Sequence, residues 1–178
     1  MEDRLRDDAD RSDGEALDAD GGVSPWPFDR RAYPVRFRLS MPSDKDALNR
    51  TVRRVLRVAE RCRCLEGHEA DLEIALREAL ANALIHGNAY AAHKRVHIRC
   101  YGAPGSSLLI LVRDEGSGFE PADVPDPRHP DRMHLHHGRG LLLMRELMDY
   151  VEYRRDGREV VLYFTCDDDA CADGPASA

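Results

Sequence analysis

The stretch REALANALIHGN, residues 77–88, carries three polar side chains among alanines and leucines. Glu78, Asn82 and His86 are four residues apart, so in a helix each follows the last by about one turn and the three share a face. A carboxylate can take a proton from a hydroxyl, and an amide oxygen can coordinate a hard cation. This face is therefore a candidate site, although a solvated helix charge and a structural helix-end histidine would give the same pattern.

Two glycine motifs further along the chain are of the kind that leaves backbone amides open to a ligand. DEGSGF places Asp114, Gly116 and Gly118 directly after an apolar run, and HGRGLLL places Gly138 and Gly140 at a helix start. A glycine pair there lets N–H groups approach an anion with help from the helix dipole. Taken singly, each motif is also typical of ordinary turns and helix caps.

Hydrophobic periodicity predicts the elements that must position these motifs. The expected order is a strand at 33–41, a helix capped by Ser43 and running to about Cys62, a helix at 69–86 stopped by Gly87, strands at 95–101 and 108–114, a helix at 140–148, and a hairpin at 150–165. In the second helix, the predicted buried stripe consists of Leu72, Ala75, Leu76, Ala79, Leu80 and Ala83. This order of elements favours a two-layer α/β sandwich.

Charge is unevenly distributed along the 178 residues. Residues 1–20 hold nine acids against three arginines, and the stretch from Asp167 holds four more acids. The formal net charge of −7 therefore leaves about +3 on the body. Residues 1–32 and 166–178 have few large apolar side chains, so we expect disordered acidic tails on either side of one domain at 33–165.

Composition also bounds the function. No apolar run approaches the roughly 18 residues of a membrane span, and the N-terminus is acidic, so we expect a cytoplasmic protein without membrane association. The sequence contains no basic segment with interleaved aromatic residues of the kind that binds nucleic acid, so we expect no direct nucleic-acid binding. The five cysteines are odd in number and lack common zinc or redox spacing, so we expect reduced thiols.

The three motifs in this order resemble a known superfamily. EALANALIHGN, DEGSGF and HGRGLLLMRELMDYVEY resemble the N, G1 and G2 boxes of the GHKL ATPases and kinases, whose shared core is the Bergerat fold. The wording NALIHGN, the segment PADVPDPRHPD and the helix GRGLLLMRELMD look like the anti-sigma factor serine/threonine kinases of bacterial partner-switching systems. The resemblance runs from about Arg36 to Phe164. It implies an α/β (α+β) two-layer sandwich with a mixed, mainly antiparallel sheet and helices on one face.

The resemblance also implies roles for matching positions. Asn82 would bind Mg²⁺, and Glu78 would act as general base toward an attacking hydroxyl. Asp114 would accept a hydrogen bond from the exocyclic amine of adenine, which favours ATP over GTP. The other implied nucleotide-binding residues are His86, Gly116, Gly118, Phe119, Gly138, Arg139, Gly140 and Leu141. Residues 121–137 would form an ATP lid, and the histidines within it are interpreted as a polar stretch rather than a metal site.

One position departs from the superfamily pattern. Many members have a Gly-Thr pair in the last hairpin whose threonine reaches the nucleotide, whereas here Gly157 is followed by Arg158.

The implied activity is that of a kinase using ATP and Mg²⁺. It would phosphorylate a serine or threonine of an anti-anti-sigma (STAS) protein, sequester a sigma factor in its alternative state, and work as a homodimer built through the first strand and helix. Two alternatives stay open. One is an ATP-binding regulatory module that sequesters a partner without kinase activity. The other is a histidine-kinase-like catalytic domain, which needs a phosphoacceptor helix, yet residues 43–62 contain no histidine.

Overall fold

The structure, a computed structural model, describes residues 33–63, 67–118 and 139–165. The elements in chain order are β1 (Val35–Pro42), α1 (Lys45–Arg61), α2 (Glu69–Asn82) continued by a π-helical turn (Ala83–Gly87), β2 (Arg95–Ala103), β3 (Ser107–Arg113), α3 (Arg139–Leu147), β4 (Tyr150–Arg154) and β5 (Glu159–Thr165). Every predicted element is present, with ends that agree within about two residues. The predicted tails, 1–32 and 166–178, lie outside the described residues.

The five strands form one sheet in the order β1-β2-β3-β5-β4. Alternate residues such as Ile98, Ile110 and Leu162 point to one face, where they pack in a core shared with the helices. The predicted two-layer sandwich with helices on one face is confirmed. The sheet was predicted to be mixed and mainly antiparallel. All four neighbouring pairs of the described strands are antiparallel, so the described sheet has no parallel pair.

Helix α2 is anchored along one side. The predicted stripe of Leu72, Ala75, Leu76, Ala79, Leu80 and Ala83 is buried throughout, which confirms the helical interpretation. Glu78 and Asn82 are half-buried instead. Among the described residues, no helix combines the length and apolar character that crossing a membrane requires.

The cap of α1 differs from the prediction. Asp44, not Ser43, is the N-cap, and its carboxylate accepts a hydrogen bond from the Ala47 backbone N–H at 2.7 Å. Ser43 is buried at 6% exposure. Either residue type caps helices well, so the position of the chain after β1 decided between them.

The end of α2 also differs from a regular α-helix. Residues Ala83–Gly87 form a π-helical turn, closed by a hydrogen bond of 2.8 Å from the Asn88 N–H to the Ala83 carbonyl. Gly87 is the last residue of this turn, so the predicted stop is confirmed while the type of the last turn was not foreseen. Single π turns inside helices are frequent at functional sites.

Candidate functional site

The start of α3 lies against the polar side of α2. A Cβ added to Gly140 would collide with the Glu78 carboxylate oxygen Oε2 and lie 3.6 Å from Nδ2 of Asn82. Glycine at this position therefore lets the backbone of one motif approach the side chains of another. The structure thus brings three of the predicted site residues, Glu78, Asn82 and Gly140, close together.

Asp114 lies against the other end of the same helix. A Cβ added to Gly87 would lie only 2.5 and 2.6 Å from the two Asp114 carboxylate oxygens, and one added to Gly116 would collide with the Gly87 carbonyl. Asp114 Oδ1 also accepts a hydrogen bond from the Gly116 N–H at 2.7 Å. Both glycines are needed for this close approach of helix end and turn.

Asp114 is buried, with 7% of the residue exposed. Burial raises its pKa, and the hydrogen bonds from the Gly116 and Asp114 amides, together with the charges of Arg158 and Lys94, oppose that increase. A hydrogen-bond donor on a ligand can satisfy a partly desolvated carboxylate of this kind.

A small cavity connects these features. It is lined by Ala79, Asn82, Ala83, His86, Gly87, Val112, Asp114, Gly118, Tyr153, Gly157, Arg158 and Val160. Four predicted site residues, Asn82, His86, Asp114 and Gly118, therefore share one cavity. Its volume is about 20 Å³, room for about one water molecule, so a ligand the size of a base enters only if side chains at the cavity move.

Two residues of the last hairpin join the site although nothing in their local pattern marked them as ligands. Tyr153 on β4 lies beside Asn82, and its burial raises its pKa to about 12, against smaller opposing effects of Arg145 and Asn82. The Arg158 carbonyl accepts the Asp114 N–H at 3.0 Å, and the Arg158 Nε donates to the Arg155 carbonyl at 3.0 Å. The departure from the superfamily pattern at Arg158 was the one sequence signal that pointed here.

Several residues that were predicted to bind the nucleotide lie outside the described residues. These are Phe119, Gly138 and the lid at 121–137. Arg139 begins α3, and Leu141 packs against the core from the same helix.

The Asn82 amide fits a role as an oxygen ligand. Within the described residues its buried Nδ2 makes no well-formed hydrogen bond. The nitrogen and oxygen of an amide are exchanged by a simple flip, so the unsatisfied end can present the oxygen instead. The described residues contain no group of three or more His, Cys, Asp or Glu side chains that could hold a metal by themselves. Any cation at Asn82 would therefore need most of its ligands from a nucleotide and water.

A larger groove of about 470 Å³ lies on the sheet and includes Glu115 of the motif DEGSGF. It is lined by Arg38, Leu39, Ser40, His97, Ile98, Arg99, Leu111, Arg113, Glu115 and Glu159. It contains none of the predicted site residues and no glycine that would open the backbone to a ligand. Size alone therefore does not make it the candidate site.

The sandwich, the glycine-opened helix start and the buried carboxylate together define a nucleotide-binding α/β domain. Residues 41–165 match the family model of the histidine kinase-like ATPase domain, and the chain belongs to this family. Membership implies ATP binding and confirms the superfamily predicted from the three motifs.

The chain is also similar to individual proteins. An 84-residue stretch is 30% identical to the Anti-sigma F factor of Oceanobacillus iheyensis, covering 46% of this chain and 57% of that protein. The chain thus matches little more than half the length of this curated relative. A crystal structure of the RsbU and RsbW domains of Rv1364c from Mycobacterium tuberculosis aligns with a TM-score of 0.48 at 14% identity, over 74% of this chain and 32% of that one. The likeness to an anti-sigma factor agrees with the anti-sigma factor family that the sequence resembles.

Proposed function

We propose that the protein is an ATP-dependent serine/threonine kinase that phosphorylates an anti-anti-sigma (STAS) protein and sequesters a sigma factor in its alternative state. The observation that carries this proposal is the contact of the Glu78 carboxylate with the backbone of Gly140, one helical turn from Asn82. In this proposal Glu78 is the base, Asn82 the metal ligand and the start of α3 the anion-binding site. Asn82 also lines the cavity that contains Asp114, which supports the proposal.

The nucleotide would lie across this cavity. The Asp114 carboxylate would accept a hydrogen bond from the exocyclic amine of adenine, while Gly116 and Gly118 would lie beside the base. The resemblance assigns the same role to Phe119, which lies outside the described residues. The backbone of Arg139, Gly140 and Leu141, at the start of α3, would face the phosphates, where N–H groups and the helix dipole favour an anion. The resemblance assigns the same role to Gly138, which lies outside the described residues. His86 lines the cavity and is the last of the proposed nucleotide-binding residues.

Glu78 would handle the proton in phosphoryl transfer. The partner's hydroxyl oxygen forms a bond to the γ-phosphorus, the bond from that phosphorus to the bridging oxygen breaks, and ADP leaves with the electron pair. The hydroxyl proton passes to the Glu78 carboxylate. A Mg²⁺ ion held by the Asn82 amide oxygen would supply charge neutralisation at the phosphates.

A transfer assay tests this function. The protein is incubated with labelled ATP, Mg²⁺ and candidate STAS proteins, as wild type and as Glu78→Gln, which keeps the shape of the side chain but removes the base. Glu73→Gln is the matched control, because Glu73 lies on the same helix and pairs with the Arg77 guanidinium at 2.7 Å. We expect label on the partner with wild type and Glu73→Gln, and a loss of about 100-fold or more with Glu78→Gln.

The other outcomes separate the alternatives. Equal labelling by Glu78→Gln would remove Glu78 from the base role. ATP binding and partner capture without any labelling would favour an ATP-shaped binding module. Label that stays on a histidine of the protein itself would favour a histidine-kinase-like domain.

The partner class is supported by the 30% identical relative named as an anti-sigma factor. A homodimer and a cytoplasmic location, both expected from the sequence, belong to this same proposal. Analytical ultracentrifugation of the full chain tests the dimer, and a monomer at micromolar concentration would contradict it.

A further inference from the structure

Asn88 follows the π-helical turn and is fully buried, with 0% exposure. Its backbone N–H donates to the Ala83 carbonyl at 2.8 Å and closes that wide turn. A buried polar side chain costs free energy unless its hydrogen bonds are made. The partners of this side chain therefore show what it holds in place.

The Asn88 amide joins two other segments of the chain. Its Nδ2 donates to the Arg95 carbonyl at 2.9 Å, at the start of β2. Its Oδ1 accepts the Glu115 backbone N–H at 2.9 Å, one residue after Asp114. A carbonyl can only accept and an N–H can only donate, so these two partners fix the orientation of the amide.

The turn after Asn88 is strained. Ala89 and Tyr90 have φ of 50° and 54°, the left-handed region that non-glycine residues rarely adopt. The Ala91 N–H donates to the Asn88 carbonyl at 3.0 Å, and the Tyr90 N–H donates to the Leu84 carbonyl at 2.9 Å. Such strain persists only where surrounding contacts determine the conformation, and it is concentrated near functional sites.

These contacts converge on the carboxylate of Asp114. Gly87, one residue before Asn88, touches that carboxylate, and the Gly116 backbone touches the Gly87 carbonyl. The Glu115 amide lies between the two contacts and is held by Asn88. A shift of Asn88 would therefore move the turn that carries Asp114 away from the helix end.

We propose that Asn88 is a positioning residue that fixes the Asp114 turn against the end of α2 and so sets the recognition of adenine. The second half of this statement rests on the proposed ATP-binding function, whereas the clamp itself does not. Asn88 acts through Asp114 and does not touch the base.

The clamp is tested first without nucleotide, by amide hydrogen exchange on the full chain. The variants are Asn88→Ala, which removes both side-chain bonds, and Asn88→Asp, which keeps an acceptor for the Glu115 N–H. Asn49→Ala is the control. Asn49 is exposed, and its side chain accepts a hydrogen bond from the Arg77 guanidinium at the surface of the helices. We expect the Glu115 amide to exchange about tenfold faster in Asn88→Ala and by a smaller factor in Asn88→Asp.

Nucleotide affinity is the second measurement. Inosine triphosphate lacks the exocyclic amine, so it does not use the Asp114 contact. We expect Asn88→Ala to weaken ATP binding about tenfold and to leave inosine triphosphate binding within about twofold of wild type. A purely structural defect would weaken both nucleotides alike.

The results decide the two parts separately. Unchanged exchange of the Glu115 amide in Asn88→Ala would overturn the clamp. Equal losses of ATP and inosine triphosphate affinity would overturn the link to adenine. If the wild type bound neither nucleotide, the proposed function would fail while the exchange result still decided the clamp. If Asn88→Ala did not fold, both measurements would be made on Asn88→Asp. Because this variant keeps an acceptor for the Glu115 N–H, exchange would be followed at the neighbouring Gly116 and Arg95 amides. Wild-type exchange at these amides, together with the wild-type preference for ATP over inosine triphosphate, would overturn the proposal.

Discussion

Replacing Gly87 with alanine would put a methyl group against the Asp114 carboxylate. The three heavy atoms nearest to the added Cβ all belong to that carboxyl group, with Oδ2 at 2.5 Å and Oδ1 at 2.6 Å. Ordinary van der Waals contact begins at 3.4 Å. Relief of the clash therefore requires Oδ2 to retreat by about 0.9 Å, the difference between 3.4 and 2.5.

A shift of this size is large for a hydrogen bond. Moved by the same amount, Oδ1 would leave the Gly116 N–H, now at 2.7 Å, beyond the usual limit of about 3.2 Å. In the proposed complex, the same displacement would also take the carboxylate out of reach of the exocyclic amine of adenine. The lost bond is then the one between Asp114 and adenine: a hydrogen bond to a charged group contributes about 1.5–3 kcal/mol, and about 1.4 kcal/mol corresponds to tenfold in affinity. We therefore expect Gly87→Ala to weaken ATP binding by about 10- to 100-fold.

Isothermal titration calorimetry with ATP measures this loss. The control is the same substitution in an Asp114→Ala background, where the carboxylate that the methyl group meets is absent. There, Gly87→Ala should change affinity by less than about twofold. Wild-type affinity in the single variant, or a full additional loss in the double variant, would refute the reasoning.

Three further substitutions test other parts of the structure. Gly140→Ala adds helix propensity, but its methyl group collides with Glu78, so we expect phosphoryl transfer measured at saturating ATP to fall about 100-fold. Leu80→Ala empties a fully buried position, and urea unfolding should show a loss of about 2–5 kcal/mol, against the less than about 1 kcal/mol of a surface site. The His97 side chain and the Arg95 amide lower the pKa of Glu115 from its usual 4.5, so its carboxylate stabilises the fold above that pH and loses the effect as the pH falls through the depressed value. Glu115→Gln should therefore destabilise the protein by at most about 1 kcal/mol at neutral pH, with a difference that vanishes in acid; a constant difference would contradict the ionic origin.

Secondary structure followed from the sequence because it depends on near neighbours. The period of the apolar residues from Leu72 to Ala83 predicted α2 and its buried side, and the alternation of Val35, Phe37 and Leu39 with arginines predicted the first strand. Two features of the helices were not predicted, the N-cap of α1 and the π turn at the end of α2. In each case the sequence allows two local conformations of similar free energy. Ser43 and Asp44 are both good caps, and five residues such as Ala83–Gly87 are too few to distinguish a π turn from an α turn.

The sequence by itself determined the chemistry available to this protein: a carboxylate at Glu78, an amide at Asn82, a carboxylate at Asp114, and glycines where backbone must approach closely. Only the tertiary structure decided which of these groups meet. The contact of Gly140 with Glu78 joins residues far apart in the chain, and the bond of Asn88 to the Glu115 amide spans 27 residues. Tyr153 and Arg158 enter the cavity in the same way, through the pairing of β4 with β5 and of β5 with β3. Local periodicity carries no record of such contacts, because they depend on how the sheet and the helix layer pack across the core.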